Sequence, residues 1–279
     1  MSYLTQWPAG DIDAMFDPLA TDCVYFASDP NYAVYKAENL ATVWLGLNCY
    51  ETSPTKDKIV RQAIAMALNR DDIINACYEN GACAYAPSSS FSRVIPGAIE
   101  VEGYSYDPEG AAKLLADNGY ENLTIRMRCH ARYKTQAEVV QAGLALAGIT
   151  VNIEELATSG FTNRLKTEPE QYDMFISAFA STGGALNIIE RYYLPNAIYG
   201  IVNYNNPDFV ALYEEVAAST TLDGLLSGYG ELQKMIAEDV PTVPIAAVYQ
   251  WCIGTKNFGG VDLATQPIDM CVTNAFVIE

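Results

Sequence analysis

Between Leu123 and Phe179 the hydrophobic period of the chain switches repeatedly between strand and helix, and this succession restricts the fold more than any other feature. Leu123 to Cys129 is an apolar run of strand length, and Tyr133 to Ala147 recurs at helical spacing and stops at Gly148. Ile149 to Ile153 is strand-like again, Ser159 to Lys166 is helical, and Tyr172 to Phe179 is a third strand. Strands separated by whole helices cannot close as hairpins. They pair in parallel through crossover helices, so an α/β sheet is expected here.

The flanking sequence enlarges this body. Residues 41–49 are apolar, β-branched and aromatic, as in a buried strand. Beyond Pro54, the residues Ile59, Val60, Ala63, Ile64 and Ala67 fall at helical spacing. Asp71 and Asp72 are expected to cap a second short helix through Cys77 and Tyr78, closed by Gly81. Residues 84–106 read as a long irregular loop. Asp107-Pro108 is expected to open a helix with Asp as cap and Pro at the first helical position. Further helices are expected from Asn206-Pro207 to Ala218 and from Leu225 to Glu238, then a strand from Val243 to Ile253. Residues 1–40 and those from Lys256 onward are turn-rich, and the two ends are expected to lie together at one edge.

The net charge of -18, from 34 acids against 16 bases, has the wrong sign for a nucleic-acid partner or an anionic membrane surface. No run of about 18 apolar residues exists to span a bilayer. The seven cysteines are irregularly spaced with no C-x-x-C pair, so buried free thiols acting as small hydrophobes are expected. His130, the only histidine, follows Cys129. Neighbours on a strand point to opposite faces, which disfavours a Cys/His dyad, and a surface or loop position is expected. Asp11, Asp13 and Asp17 lack the glycine and distal Glu of a calcium loop. No catalytic residue, metal ligand or cofactor is expected.

Candidate ligand-binding residues fall in three groups. Ala180-Ser181-Thr182-Gly183-Gly184 follows Phe179 at the C-terminal end of a parallel strand, where open α/β sheets place ligands. Arg126 and Arg128 alternate along one strand, so both can turn one way, either to a ligand carboxylate or to local acids. Tyr249 and Trp251 are large rigid aromatics suited to a ligand wall or to the core.

Several ordered motifs resemble those of the family 5 extracellular solute-binding proteins, the peptide/nickel-binding group. They include Ala9-Gly10-Asp11-Ile12-Asp13 and the apolar run Trp44-Leu45-Gly46-Leu47-Asn48. A helix motif runs from Val60-Arg61-Gln62-Ala63-Ile64 to Leu68-Asn69-Arg70. Tyr104-Ser105-Tyr106-Asp107-Pro108 leads into Leu114-Leu115 and Gly119. Leu144 through Gly148-Ile149-Thr150-Val151, then Tyr172-Asp173-Met174, and Asp239-Val240-Pro241-Thr242-Val243-Pro244 complete the series. Each is short, but the shared order covers nearly the whole chain.

The resemblance implies a periplasmic-binding-protein type II-like lobe, a mixed sheet with helices on both faces, plus partial first-lobe segments. The division would be 1–43 as a first-lobe piece and crossing strand, 44–245 as the second lobe, and 246–279 as a return to the first. The family's signal segment and lipoprotein cysteine have no match, so a piece of a longer, extracytoplasmic protein is expected, in the periplasm or anchored at the cell surface. The implied role is the substrate-binding component of an ABC importer. It would close on an oligopeptide- or dipeptide-like solute, dock as a monomer on membrane permease subunits and catalyse nothing. In oligopeptide-binding relatives a Trp and then an Asp that pairs with the peptide amine stand where this chain has Phe179 and Ser181 or Thr182. The counter-ion for a free amine is therefore missing. Two alternatives remain open: a signalling receptor of the same fold binding a non-peptide solute or metal complex, and a secreted hydrolase using Cys83 or Cys129 with His130.

Overall fold

The structure is a computed structural model that describes residues 12–16, 18–179, 184–263, 270–271 and 276–277. Strands β1 (Ala14–Phe16), β2 (Tyr32–Leu47), β3 (Ala84–Tyr85), β4 (Thr124–His130), β5 (Thr150–Leu156), β6 (Met174–Phe179) and β7 (Thr242–Thr255) form one sheet. Its order is β1-β7-β2-β6-β4-β5, with β3 also paired to β7. β4 is parallel to both β5 and β6, as the strand-helix succession requires, and β2 runs antiparallel to β6 and β7.

The two crossover helices lie on opposite faces. Helix α5 (Lys134–Leu146), between β4 and β5, buries Ala137, Val140 and Leu144 on one face. Helix α6 (Phe161–Thr167), between β5 and β6, buries Phe161 and Leu165 on the other. The first face also takes α2 (Lys58–Ala67), α3 (Arg70–Cys77) and α4 (Pro108–Asp117). The second takes α7 (Gly184–Tyr192), α8 (Pro207–Ala217) and α9 (Leu222–Asp239). Val43, Leu45, Met174, Ile176, Ile125 and Met127 point to the first face, while Trp44, Phe175 and Phe179 point to the second. Burial on both faces explains continuous apolar runs in place of polar–apolar alternation.

Helix starts follow the capping chemistry. Asp107 Oδ1 accepts from Gly110 N–H at 2.8 Å with Pro108 next in line, and Asn206 Oδ1 accepts from Asp208 N–H at 2.9 Å ahead of Pro207. Two starts differ from expectation. Asn69, not Asp71 or Asp72, caps α3, accepting from Asp71 N–H at 3.1 Å. Thr221 caps α9, so that helix begins at Leu222 rather than Leu225. The first 40 residues hold more regular structure than their turn-rich pattern suggests: α1 (Ala20–Ala27) and half of β2. Helix α7 was likewise not signalled by periodicity.

The two ends of the chain meet in the sheet. Ala14–Phe16 pairs with Cys252–Gly254, and Tyr32 to Glu38 pairs with Tyr249 to Thr255. The long β2–β7 ladder is interrupted twice, by a one-residue shift at Val43/Trp44, where Ile245 is skipped, and by a larger one at Glu38/Thr42. Glu38 faces Tyr249 and Thr42 faces Ala247, so three residues of β2 stand against one of β7. Such a bulge bends and twists the ladder. Its loosened backbone is satisfied locally: Asn39 Oδ1 accepts from Ala41 N–H at 2.9 Å, and Ser92 Oγ donates to Asn39 O at 2.7 Å.

Gly46 lies where β2 crosses Phe175. A Cβ there would overlap the Phe175 ring and crowd Trp44. Gly46→Ala is therefore expected to destabilise the protein by about 1–3 kcal/mol. Adding Phe175→Leu should restore part of the loss, as read by the midpoint of urea unfolding.

Candidate functional site

The C-terminal ends of the parallel strands place His130, Leu156 and Phe179 along one edge of the sheet. At this edge Phe179 stacks edge-on against Tyr192 of α7, with ring centroids 3.9 Å apart. Trp44 lies 5.7 Å from Tyr192 and 6.0 Å from Phe179, and Tyr199 lies 4.9 Å beyond Tyr192. The Arg191 guanidinium sits 5.9 Å from the Tyr199 ring. Burial pushes the Tyr192 phenol well above its ordinary pKa, so it stays a protonated donor.

Along this edge several polar atoms have no hydrogen-bond partner among the described residues, Thr42 and Arg191 beside the aromatic wall and His130 further along, against Tyr133 and Phe161. Thr42, which pairs with Phe179, has a free buried hydroxyl, and Arg191 Nε and His130 Nδ1 are likewise buried without partners. Arg132, exposed just past the end of β4, makes no ion pair among the described residues. An apolar wall with a few convergent, uncommitted polar groups is the usual composition of a small-molecule site.

The opposite edge of the sheet is built differently. A cavity of about 660 Å³ is lined there by Cys49, Tyr50, Arg61, Tyr204, Asn206 and Asp239, among others. Its Asp239, Tyr204, Asn206 and Arg61 are engaged with one another and the backbone, while Glu51, Lys56 and Asn205 also line it. Asp239 accepts from Tyr204 Oη at 2.6 Å and Asn206 Nδ2 at 2.8 Å, and pairs with Lys58 at 2.9 Å. Arg61 donates to the carbonyls of Asp239, Thr55 and Lys56. This network joins α2 to the end of α9.

The sequence-derived candidates do not fall together. Phe179 is in the aromatic wall, whereas Ala180, Ser181 and Thr182 lie outside the described residues. Arg126 forks onto Asp173, with Nε–Oδ2 of 3.0 Å and Nη2–Oδ1 of 2.7 Å. Arg128, 3 % exposed at its side chain, reaches Glu154 at 2.7 Å and Glu168 at 2.8 Å. Of the two roles open to these arginines, the bridge to local acids is the one present. Arg128 also stands opposite Phe175, about 13 Å along the strand from Phe179. Tyr249 and Trp251 pack on the first face, with the Lys36 ammonium 3.8 and 5.1 Å from their rings. Arg132, Tyr192 and Thr42 were missed. Arg132 and Tyr192 carry no sequence signal beyond following a strand or ending a helix.

His130 is not at the surface, contrary to the expectation. It is 9 % exposed, packed 4.8 Å from the Tyr133 ring and 5.2 Å from the Phe161 ring. Strand alternation put it on the second face, and α6 covers it. Cys129 points to the opposite face into the core beneath α5, so no Cys129–His130 dyad exists. Among the described residues no cluster of three His, Cys, Asp or Glu side chains could hold a metal ion, and no helix is long and apolar enough to cross a membrane.

Residues 4–199 match the family described as bacterial extracellular solute-binding proteins, family 5 middle. The chain belongs to the family 5 solute-binding proteins. Family members are binding proteins rather than enzymes, and they work outside the cytoplasm. The chain is 25 % identical over 247 residues to the peptide transport periplasmic protein SapA of Haemophilus influenzae, covering 84 % of this chain and 43 % of that protein. It is 24 % identical over 253 residues to heme-binding protein A of the same organism, covering 85 % and 45 %. The solved structure of the periplasmic binding protein DppA from Helicobacter pylori, in complex with the peptide STSA, superposes with a TM-score of 0.85 at 23 % identity. It covers 99 % of this chain and 55 % of that one. The fold is thus that of the periplasmic binding proteins, and the chain spans a little under half the length of these curated relatives.

Burial first, and then the Arg132 cation, hold the His130 imidazole below its ordinary value near 6.5. The folded state therefore favours the neutral ring. That stability is full above the unfolded pKa and is lost as pH falls through the folded one. With one histidine in the chain, a proton NMR titration reads it directly. The midpoint is expected below about 6.5, and His130→Gln should flatten the fall in stability between roughly pH 7 and 5.

Proposed function

We propose that this chain is the ligand-capturing part of a peptide-binding protein serving an ABC importer, and that peptides lie against Tyr192 and Tyr199, the half-buried outer rings of an aromatic wall whose inner rings, Trp44 and Phe179, are 1 % and 3 % exposed. The observation that carries this reading is the pairing of that wall with unpartnered Thr42 and Arg191 at the C-terminal edge of the parallel strands. Main-chain amides of a peptide need donors and acceptors of this kind, and its side chains need apolar surface. The SapA and DppA names support the peptide class. A haem ligand, named for one relative, is less well served: the only histidine is buried under Phe161 and Tyr133. The segment Ala180–Thr182, joining Phe179 to α7, would complete the contact. Arg132 would meet a ligand carboxylate by charge-assisted hydrogen bonds.

On this reading residues 44–245 form the second lobe, and 1–43 with 246–279 belong to the first. The bulge at Asn39–Ala41 lies close to both divisions and is the proposed flexing point. Closure would be driven by the ligand's greater affinity for the closed form. Permease subunits in a membrane would receive the closed complex, outside the cytoplasm. One lobe with strips of another grips a solute from one side, so binding by residues 1–279 alone is expected to be weak.

Titration of dipeptides through pentapeptides at millimolar concentration into the isotope-labelled chain tests this. Amide resonances of Thr42, Phe179, Tyr192 and Tyr199 are expected to shift, and Tyr192→Ala to abolish the shifts. Arg132→Gln should weaken peptides with a free carboxylate about tenfold, or 1.4 kcal/mol, and leave amidated ones unchanged. Shifts confined to residues 49–61 and 203–206, or produced only by haem, would overturn the reading.

A further inference from the structure

Cys23, Cys49, Cys77, Cys83, Cys129 and Cys252 are free thiols, as expected, and two of them lie at the same place in the core. Cys23 lies on α1, and Cys83 directly precedes β3. They are 1 % and 6 % exposed and belong to the same core cluster. Cys83 Sγ is 3.6 Å from the carbonyl oxygen of Ala20, in the first turn of α1. Cys23 is three residues further on, and its Sγ is 3.9 Å from the carbonyl oxygen of Pro18. Both sulfurs therefore lie at the start of α1, near enough for each to perturb the other's ionisation. Of the other thiols, Cys49 turns back to Leu47 O at 3.5 Å, Cys129 is in the core under α5, and Cys77, at the end of α3, packs against the same cluster as Cys23 and Cys83.

We propose that Cys23 and Cys83 form a disulfide that ties α1 to the β3–β7 edge of the sheet.

The surroundings assign roles to the two sulfurs. The neighbouring Cys23 thiol lowers the Cys83 pKa, burial opposes it, and the Lys36 ammonium lowers it further. Lys36 is held nearby by donating to Ala82 O at 2.8 Å. The Cys83 sulfur and burial raise Cys23. Cys83 is thus the thiolate that attacks first. With a small-molecule disulfide such as oxidised glutathione as oxidant, Cys83 sulfur attacks one sulfur of that disulfide and expels one glutathione thiolate. Cys23 then gives up its proton and attacks Cys83 sulfur, expelling the second. The protein loses two hydrogens and two electrons, and the oxidant becomes two thiols. Extracytoplasmic compartments supply oxidants of this class. The bond would close a long loop of unfolded chain, from α1 across β2, α2 and α3, which raises stability mainly by restricting the unfolded state.

The test is equilibration of the protein with oxidised glutathione, followed by thiol titration in denaturant and peptide mapping. The protein is expected to lose two of its seven titratable thiols. Trypsin, cutting after Lys36, Arg70 and Arg93, separates Cys23 from a peptide holding both Cys77 and Cys83. Cys77→Ser should keep the link, and Cys23→Ser or Cys83→Ser should lose it. Oxidation should raise the thermal midpoint of the native protein and of Cys77→Ser by several degrees, and leave the Cys23→Ser midpoint in place. Retention of all seven thiols, or a link that survives Cys83→Ser, would overturn the proposal. The native protein's own thiol count and cross-linked peptide decide the matter even if a variant fails to fold.

Discussion

The pairing of β2 with β6 holds the molecule together. In the order β1-β7-β2-β6-β4-β5, it is the one junction between the antiparallel part of the sheet and the parallel part. The register runs from Thr42 opposite Phe179 to Leu47 opposite Met174. Through it, Leu45 and Ile176 are fixed on the first face, and Trp44 and Phe175 on the second. A slip by one residue would exchange these sets and turn Trp44 into the face shaped for Leu45. Gly46 makes the register specific, because the Phe175 ring occupies the space a side chain would take. The same pairing delivers Thr42, Trp44 and Phe179 to one edge, so the candidate site is a direct product of this junction.

The parallel core was legible because its signal is local. Each strand or helix between Leu123 and Phe179 carries its own period, and crossover helices leave little freedom in how the strands pair. Errors arose where two local signals competed. Asn69 and Asp71 are both good caps, and only the chain direction after Ala67 decides for Asn69. The N-terminal half of β2 was hidden because its side chains alternate between exposed and half-buried, a pattern that resembles a turn-rich loop. Its strand character comes from β7, more than 200 residues away in sequence. Helix α7 begins after a small-residue segment and draws its stability from packing Ile188 and Ile189 on the second face.

The site was less legible than the fold for a related reason. The alternation that put Arg126 and Arg128 on one face was read correctly, but what they face depends on Asp173, Glu154 and Glu168, which come from other elements. An excess of acids favours such pairing for the two arginines of β4, whereas the buried Arg61 is satisfied by backbone carbonyls. Arg128 would be costly to bury alone, and two acids offset that cost. Arg132, four residues on, lies past the strand and beyond their reach. Position relative to the strand end, and not residue type, separates the structural cations from the available one.

Where hydrogen bonding is left incomplete is itself organised. The buried polar atoms without partners among the described residues belong to Asp22, Thr42, His130, Arg191, Gln250 and Trp251. Thr42, His130 and Arg191 are at the C-terminal edge, and Gln250, Trp251 and Asp22 belong to the outer half of the β2–β7 ladder and the helix beside it. At the opposite edge Asn48, Thr55, Arg61, Asp173 and Asp239 are fully engaged with one another and with the backbone. Each buried unpaired group costs about 1–3 kcal/mol. Scattered at random such costs would be defects of packing. They fall instead at the C-terminal edge of the parallel strands and along the outer half of the β2–β7 ladder, away from the edge where Asn48, Thr55, Arg61, Asp173 and Asp239 satisfy one another.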